Sequence, residues 1–184
     1  MRILCFGDSN TWGFDPRSFL GSRYPAPNRW PDIIREKSGI ILENWGENGR
    51  EIPKNGWRIP LNPTDILIIM LGTNNLLQGY TAEEATQSMA HFLKTVPLPS
   101  SQILLVAPPG LQPGAWITEK SVLTESAAFA EHLRKLSHTY GTHYLNADEW
   151  IIPLTYDGVH FTEEGHIRFA HHLYSYLSAL HVNF

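Results

Sequence analysis

The sequence has few of the residues on which several protein classes depend. Its 184 residues include one cysteine, Cys5, which excludes an internal disulfide framework and a zinc site built from thiolates. It contains no run of lysine and arginine, and its net charge is −4, whereas proteins that bind nucleic acids or anionic membranes normally present a basic surface. No apolar stretch approaches the ~18–20 residues of a membrane-spanning helix. We therefore expect neither nucleic acid nor a membrane as a partner.

Length and composition point to one globular domain. Hydrophobic residues make up 42% of the chain and charged residues 17%, as in ordinary globular proteins, and the length corresponds to about one domain. The first strand-like segment begins at Arg2 and leaves no room for a signal peptide. These observations predict a single domain over residues 1–184 that is cytoplasmic and acts on a small molecule.

Short apolar segments alternate with segments of helical periodicity along the chain. The β-type runs are Ile3–Phe6, Ile40–Leu42, Ile66–Leu71, Ile103–Val106 and Tyr144–Leu145. The helical segments are Trp30–Lys37, Thr81–Val96, Glu119–Tyr140 and Glu163–Leu180. Runs that are apolar on both faces suit parallel strands covered by helices on both sides. The alternation therefore predicts a three-layer α/β/α sandwich around a five-stranded parallel sheet.

Polar and glycine-rich turns follow the predicted strands. They are Gly7–Thr11, Gly46–Arg50, Gly72–Asn75, Pro108–Gly110 and, after a short connection, Asp157–His160. In open α/β sheets, ligands bind beyond the carboxyl ends of the strands. We therefore expect these turns to meet at one edge of the sheet and to carry the chemistry of the protein.

Ser9, Asp157 and His160 are the candidates for nucleophilic catalysis. A serine hydroxyl is a weak nucleophile without an adjacent base, and His160 can be that base. Asp157, three residues earlier in the sequence, can bind the other imidazole nitrogen and stabilise the imidazolium that forms. Taken alone, Ser9 is better explained as a helix N-cap, and the segment from Asp157 to His160 is equally well explained as a turn. Their convergence at one sheet edge favours catalysis.

Acyl transfer also requires hydrogen-bond donors directed at the developing oxyanion. The candidates are the backbone N–H of Ser9, a glycine N–H from the second turn, and the side-chain amide of Asn74. An ordinary turn would explain the glycine, and an Asx-turn would explain Asn74. The assignment of these donors therefore depends on their lying close to one another.

The sequence resembles the SGNH (GDSL-type) hydrolase superfamily from Arg2 to the C-terminal helix. The matching blocks are Gly7-Asp8-Ser9, a glycine in the second turn, Gly72-Thr73-Asn74 and Asp157-Gly158-Val159-His160. Within the superfamily, the sequence is most similar to the small bacterial arylesterase/acyltransferase branch. The resemblance implies a flavodoxin-like SGNH hydrolase fold. It also implies that Ser9 is the nucleophile, that His160 is the base oriented by Asp157, and that Asn74 is the side-chain oxyanion donor.

The second and third blocks depart from the pattern of this branch. Alignment of the second turn on the branch pattern G-x-S-x-R places the oxyanion N–H on Gly49, with Gly46 as the alternative. Asn48 replaces the usual serine, and Asn75 stands where the third block usually ends in aspartate, which raises the question of how Asn74 is held. No cofactor is expected, and no metal, because the sequence has one cysteine and no H-E-x-x-H pattern. The branch tends to oligomerise, so a homo-oligomer is left open.

Aromatic residues fall close to the predicted catalytic turns. Trp12 and Trp116 lie in or next to these turns, and Leu111–Ile117 is an apolar stretch that contains proline. Small-molecule sites are mostly apolar with few polar groups. We predict contacts with the substrate from Asp8, Trp12 and Trp116, with packing in the core or in loops as the alternative for each tryptophan.

The function predicted from these residues is that of a serine esterase acting on small aryl or acetyl esters. A carbohydrate O-deacetylase and a lysophospholipase or thioesterase are alternatives with the same chemistry. Outside the enzymes, a flavodoxin-like module that binds a small ligand would use the same edge of the sheet. The first turn argues against a phosphate-binding module, because it opens with Asp8 and lacks the P-loop lysine.

Overall fold

The computed structural model describes residues 2–18 and 20–180. Within these residues the strands are β1 (Arg2–Gly7), β2 (Ile41–Gly46), β3 (Ile66–Met70), β4 (Ile103–Ala107) and β5 (His143–Asn146). The α-helices are α1 (Ser9–Trp12), α2 (Trp30–Ser38), α3 (Thr73–Leu77), α4 (Ala82–Leu93), α5 (Lys120–Tyr140) and α6 (Glu163–Ala179). Short 3₁₀ helices occupy Ala26–Asn28, Ser100–Gln102 and Ala147–Trp150.

The strands form one parallel sheet in the order β2-β1-β3-β4-β5. This is the strand order of flavodoxin-like doubly wound folds, in which ligands bind at the switch point between β1 and β3. Gly7, the last residue of β1, lies opposite Gly46 of β2 and Met70 of β3. The turns that follow these three strands therefore begin side by side at one edge of the sheet.

Helices cover both faces of the sheet, which confirms the predicted three-layer sandwich. Leu4 of β1 belongs to the core beneath α4 and α5, together with Phe92 and Phe129. Its neighbour Cys5 faces the other way and belongs to the core beneath α2 and α6, together with Phe169. In the described part of the chain, no helix combines the length and the apolar character needed to span a bilayer.

The observed elements differ from the sequence-based expectations mainly near the site. β2 runs to Gly46 instead of ending at Leu42, because an edge strand pairs on one side only and can carry the polar residues Glu43 and Asn44. α1 and α3 have four and five residues, which is too short for a helical periodicity to appear in the sequence. The longer helices lie where the periodicity predicts them, within a few residues.

The predicted helix caps are present. At α4, Thr81 and Glu84 form a capping box in which each side chain accepts a hydrogen bond from the other residue's backbone N–H. At α6, the Thr162 hydroxyl accepts a hydrogen bond from the backbone N–H of Gly165 at 2.9 Å. With Thr162 as its cap, α6 begins directly after the turn that carries His160.

His166, in the first turns of α6, is a buried histidine within this fold. Its ring packs against Tyr24 and Phe161, with ring centroids 5.3 and 5.2 Å away. Among the residues that the structure describes, neither ring nitrogen of His166 has a hydrogen-bond partner. Burial lowers the pKa of His166 from 6.5 to about 3, and the positive charge of Arg29, together with that of His160 when it is protonated, acts in the same direction. The folded protein therefore holds this ring neutral.

We predict that His166 makes the fold sensitive to acid. Between pH 6.5 and pH 3 the unfolded chain binds a proton at this position and the folded chain does not, so stability falls as the pH falls. The expected contribution is a loss of about 3 kcal/mol in the free energy of unfolding between pH 7 and pH 4. His166→Phe, which preserves the aromatic packing, should flatten the profile measured by urea denaturation. His171→Phe, at an exposed position of the same helix, should leave the slope unchanged. Equal slopes for the parent and His166→Phe would contradict the prediction.

Candidate active site

The turn after β1 places Ser9 at the start of α1. Asp8 caps this helix, because its carboxylate accepts a hydrogen bond from the backbone N–H of Asn10 at 3.0 Å. The backbone carbonyl of Ser9 accepts hydrogen bonds from Gly13 and Phe14. The Ser9 hydroxyl is thus carried on a short, locally bonded turn at the carboxyl end of a central strand.

Ser9, His160 and Asp157 lie in one hydrogen-bonded line. The His160 Nε2 atom is 3.0 Å from the Ser9 hydroxyl, and the His160 Nδ1 atom is 2.7 Å from an Asp157 carboxylate oxygen. A carboxylate cannot donate, so the Nδ1 atom carries the proton and Nε2 is left to accept from Ser9. The structure therefore brings together the three residues predicted from the sequence, in the geometry of a nucleophile, its base and the group that orients the base.

Asp157 is completely buried, and hydrogen bonds replace the water it has lost. One carboxylate oxygen accepts from the backbone N–H groups of Val159 and His160 and from the Thr155 hydroxyl, at 2.7–3.0 Å. Burial alone would raise the pKa of Asp157, but the hydrogen bonds from His160, Thr155 and Val159 together hold it well below its usual value. Asp157 therefore remains a carboxylate facing the imidazole.

Two aromatic side chains bracket the His160 ring. The ring centroid of Phe14 is 4.7 Å away in a tilted arrangement, and that of Trp116 is 5.0 Å away, edge to face. Trp116 is 53% exposed, so the indole both contacts His160 and borders the open side of the site. Trp116 is one of the residues predicted from the sequence to contact the substrate, and its exposed ring is in a position to do so.

Asn10 is a component of the site that the sequence analysis did not identify. Its side-chain carbonyl accepts from the backbone N–H of Phe161 at 2.9 Å, and its amide donates to the carbonyl of Val159 at 3.1 Å. These are the residues on either side of His160. No local sequence signal marks this role, because the bonded residues are about 150 positions apart.

The two glycines of the second turn differ in whether their N–H groups are available. The backbone N–H of Gly46 already donates to the Asn44 side chain at 2.9 Å, and a Cβ at Gly46 would lie 2.1 Å from the Trp12 nitrogen. Gly49 has a φ of 72° and open space around its Cβ position. Among the described residues, the Gly49 N–H has no acceptor. The arrangement favours Gly49 over Gly46 as an oxyanion donor.

The third turn is tied to the second by adjacent asparagines. The Asn74 amide donates to the carbonyl of Arg50 at 3.0 Å, and its second N–H has no acceptor among the residues that the structure describes. Asn75 is fully buried and accepts from the backbone N–H of Ile52 at 2.9 Å, with its amide 3.5 Å from Glu51. Asn75, which departs from the family pattern, therefore holds in place the segment whose Arg50 carbonyl accepts from Asn74.

Asp8 and Trp12 are placed less favourably for contact with a substrate. Asp8 is 1% exposed, so it lacks the surface that this predicted role requires, and its carboxylate is used to cap α1 instead. Trp12 is partly buried, and its ring lies beneath the Arg23 guanidinium at 4.8 Å. No contact joins Trp12 to His160 within the described residues.

Residues that bind metals are not grouped at this site. Within residues 2–18 and 20–180, no set of three or more histidine, cysteine or acidic side chains is arranged to hold a metal ion. The polar groups at the sheet edge instead pair with one another and with the backbone.

Comparisons with known proteins identify the family of the chain and structures with a similar fold. A family model described as the GDSL-like Lipase/Acylhydrolase family matches residues 5–168. A protein from Agrobacterium tumefaciens str. C58, provisionally assigned as an arylesterase, is 26% identical, with a TM-score of 0.82 over 97% of this chain and 99% of its own. A carbohydrate acetylesterase from Sinorhizobium meliloti is 26% identical, with a TM-score of 0.82 over 98% and 100% of the two chains.

A more distant structure shares the fold. The aryl esterase of M. smegmatis is 23% identical, with a TM-score of 0.80 over 97% of this chain and 99% of its own. A search among curated proteins found no match.

We predict that the buried carboxylate of Asp8 lowers stability at neutral pH. Burial raises the pKa of Asp8 to about 6, although the Asn10 N–H, the positive charge of Arg50 and that of His160 when it is protonated oppose the shift. The ionised form is therefore unfavourable in the folded protein, by about 3 kcal/mol above pH 6, and this cost disappears as the pH falls through 6 to below 4. An asparagine side chain in place of Asp8 would carry no charge and would still accept the Asn10 N–H.

Asp8→Asn should therefore unfold at a higher denaturant concentration than the parent at pH 8, and the difference should vanish at pH 3. Asp148→Asn is the matched control, because Asp148 is an exposed carboxylate that also accepts a backbone N–H, from Gly110 at 2.9 Å. A stability difference for Asp8→Asn that is independent of pH would refute the assignment.

Proposed function

The chain belongs to the GDSL-like lipase/acylhydrolase family, and on this premise we propose that it is a serine esterase forming an acyl-enzyme on Ser9. The family and the esterase relatives support a hydrolase that acts on esters. The observation that carries the finer proposal is the continuous hydrogen-bonded line from Ser9 through His160 to Asp157.

The acylation step begins at the Ser9 hydroxyl. Its oxygen attacks the carbonyl carbon of the ester while its proton passes to Nε2 of His160, which lies within hydrogen-bond reach at 3.0 Å. The tetrahedral intermediate then collapses, the bond to the alcohol oxygen breaks, and the alcohol leaves with the proton from His160.

Deacylation repeats these steps with water. His160 takes a proton from a water molecule, and the hydroxyl attacks the acyl carbon. The bond to Ser9 breaks, and His160 returns the proton to the serine oxygen. The products are one alcohol and one carboxylic acid. Asp157 remains ionised throughout and stabilises the imidazolium formed twice in the cycle, since three hydrogen bonds to its other oxygen hold it as a carboxylate.

The oxyanion in both steps is stabilised by three N–H groups. They are the backbone N–H groups of Ser9 and Gly49 and the free amide N–H of Asn74. Two features support Gly49 and Asn74: the Gly49 N–H is unused within the described residues, and the Arg50 carbonyl fixes one side of the Asn74 amide. Donors oriented before the reaction need no reorganisation as the charge develops.

We propose that part of the substrate lies in a groove next to Trp116, whose ring contacts His160. It has a volume of about 340 Å³ and runs between the end of α3 and the start of α5. Apolar and polar side chains line it together: Leu77, Gln78, Trp116, Ile117, Thr118, Glu119 and Val122. A groove of this size accommodates a small acyl or alcohol group, and we propose that small aryl and acetyl esters are the substrates.

The exposed Trp116 also supports a second candidate, an esterase acting on acetylated carbohydrates. An exposed indole flanked by Gln78 and Thr118 offers an apolar face for a sugar ring and hydrogen bonds for its hydroxyls. The relative from Sinorhizobium meliloti is named a carbohydrate acetylesterase. Both candidates use the same acyl-enzyme and differ only in the leaving alcohol.

Ser9→Ala should abolish hydrolysis and leave the fold intact, because it removes the nucleophile and a single oxygen atom. The measurement is the initial rate on p-nitrophenyl esters of graded acyl length and on acetylated monosaccharides, with circular dichroism as the check on folding. Ser126→Ala is a control, since that hydroxyl is buried but only accepts the Leu111 N–H. Retention of the parent rate by Ser9→Ala would exclude the acyl-enzyme proposal.

Asn74→Ala should lower kcat by ~10²–10³ with little change in KM, the loss expected when one oxyanion donor is removed. Steady-state kinetics on p-nitrophenyl acetate measure this split. Gln87→Ala removes an exposed amide of α4 that donates to Glu83 at 3.2 Å, and it should leave kcat within about twofold of the parent. A change confined to KM in Asn74→Ala would make Asn74 a residue of substrate binding instead.

A further inference from the structure

We propose that Asn10 is a positioning residue that sets the distance between Ser9 and His160. The inference rests on the proposed function, in which a proton passes between these two side chains. It assigns to Asn10 a role in the reaction without contact with the substrate.

The turn that carries His160 is bonded to itself. The Asp157 carboxylate accepts hydrogen bonds from Thr155, Val159 and His160. The backbone N–H of Thr155 donates to the carbonyl of His160 at 2.7 Å, and that of Gly158 donates to the carbonyl of Thr155 at 3.0 Å. This turn therefore keeps its internal shape without help from the Ser9 segment.

The stretch before α5 anchors the same turn through its backbone. The N–H groups of Gln112, Ala115 and Trp116 donate to carbonyls of the turn, at 3.0–3.2 Å. None of these donors belongs to the element that carries Ser9. They hold the turn in the molecule but do not by themselves set its distance from the nucleophile.

The link between the two catalytic segments is the Asn10 side chain. It accepts from the Phe161 N–H and donates to the Val159 carbonyl, so it is bonded on both sides of His160. Within the described residues, two side chains of α1 form hydrogen bonds to this turn: Ser9, through its bond with His160, and Asn10. The distance between the nucleophile and its base is therefore set by an amide one residue from Ser9.

Asn10 is itself firmly held. Asn10 is 4% exposed. Its backbone N–H donates to the Asp8 carboxylate at 3.0 Å, and its backbone carbonyl accepts from the indole N–H of Trp30 at 3.0 Å. Because its backbone is held in this way, the Asn10 side chain keeps the His160 turn at a fixed position relative to β1.

Proton transfer requires a separation of about 2.6–3.2 Å between the donor and the acceptor, and Ser9 and His160 are 3.0 Å apart. Loss of the Asn10 amide would leave the His160 turn intact but free to move away from Ser9. A displacement of about 1 Å in a catalytic group costs about 10²-fold in rate. The expected defect lies in the chemical step and not in the binding of the ester.

The test uses Asn10→Asp and Asn10→Leu in the full chain. The first variant changes one atom, keeps the acceptor for Phe161 and places an oxygen against the Val159 carbonyl. The second removes both bonds at similar volume. In each, kcat on p-nitrophenyl acetate, normalised to the folded fraction from circular dichroism, should fall about 10–100-fold, while KM changes less than about threefold.

Two further measurements separate positioning from a merely structural role. The rate at which a fluorophosphonate labels Ser9 should fall by the same factor as kcat. In this reaction the serine oxygen bonds to phosphorus, fluoride leaves and the serine proton passes to His160. The downfield proton resonance of the hydrogen bond between His160 and Asp157 should persist in both variants, because that bond lies within the self-bonded turn.

The matched control is Gln102→Leu, at the opposite edge of the sheet. The Gln102 amide also makes two hydrogen bonds to backbone carbonyls, those of Pro63 and Asp65 at 2.8 and 2.7 Å. This variant should lose stability but keep kcat and the labelling rate. The inference is overturned if either Asn10 variant keeps the parent kcat, if Gln102→Leu loses kcat equally, or if the downfield resonance disappears.

Ser9→Ala, measured in parallel, distinguishes this result from a failure of the proposed function. If Ser9→Ala retains activity and labelling, the acyl-enzyme proposal fails together with its premise. If Ser9→Ala is inert while the Asn10 variants match the parent, only the role of Asn10 is refuted.

Discussion

The register of β1 between its two parallel neighbours determines where the site lies. Gly7 is opposite both Gly46 and Met70, so the second and third turns begin beside the turn that carries Ser9. Parallel pairing makes this arrangement possible, because all the carboxyl ends point to the same edge. A one-residue slip in either pairing would separate Ser9 from Gly49 or from Asn74 and would turn the core-facing residues of β1 towards the wrong layer.

Two buried carboxyl groups close to His160, those of Asp8 and Asp157, show how hydrogen bonding affects ionisation at this edge of the sheet. Burial raises the pKa of both Asp8 and Asp157. Asp157 accepts four hydrogen bonds, from His160 twice, Thr155 and Val159, and its pKa ends well below the usual value. Asp8 accepts one, from Asn10, and its pKa ends at about 6. The larger number of donors to Asp157, together with the stronger effect of burial on Asp8, therefore determines which carboxylate can stabilise an imidazolium at neutral pH.

The sequence predicts those parts of the molecule that depend on local patterns. The sheet, the longer helices and their caps follow from apolar runs, helical periodicity and the Thr81 and Thr162 signals, and the trio of Ser9, Asp157 and His160 follows from residue chemistry at the ends of strands. The family pattern implied the preference for Gly49 over Gly46, but its physical reason could not be predicted, because it depends on the hydrogen bond from Gly46 to Asn44 across the end of β2. Asn10 was equally inaccessible, because its partners are brought close only by the folded sheet.

Asn75 illustrates why a departure from a family pattern is best understood from its contacts. Its oxygen accepts the Ile52 N–H, and an aspartate could do the same, but its amide nitrogen lies 3.5 Å from the Glu51 carboxylate. An aspartate at this position would bring a fully buried carboxylate next to the partly exposed carboxylate of Glu51, which is unfavourable. The asparagine avoids this repulsion and keeps the second turn attached to the third. Since the Arg50 carbonyl that accepts from Asn74 belongs to the same segment, the exchange at position 75 preserves the position of Asn74, the proposed oxyanion donor.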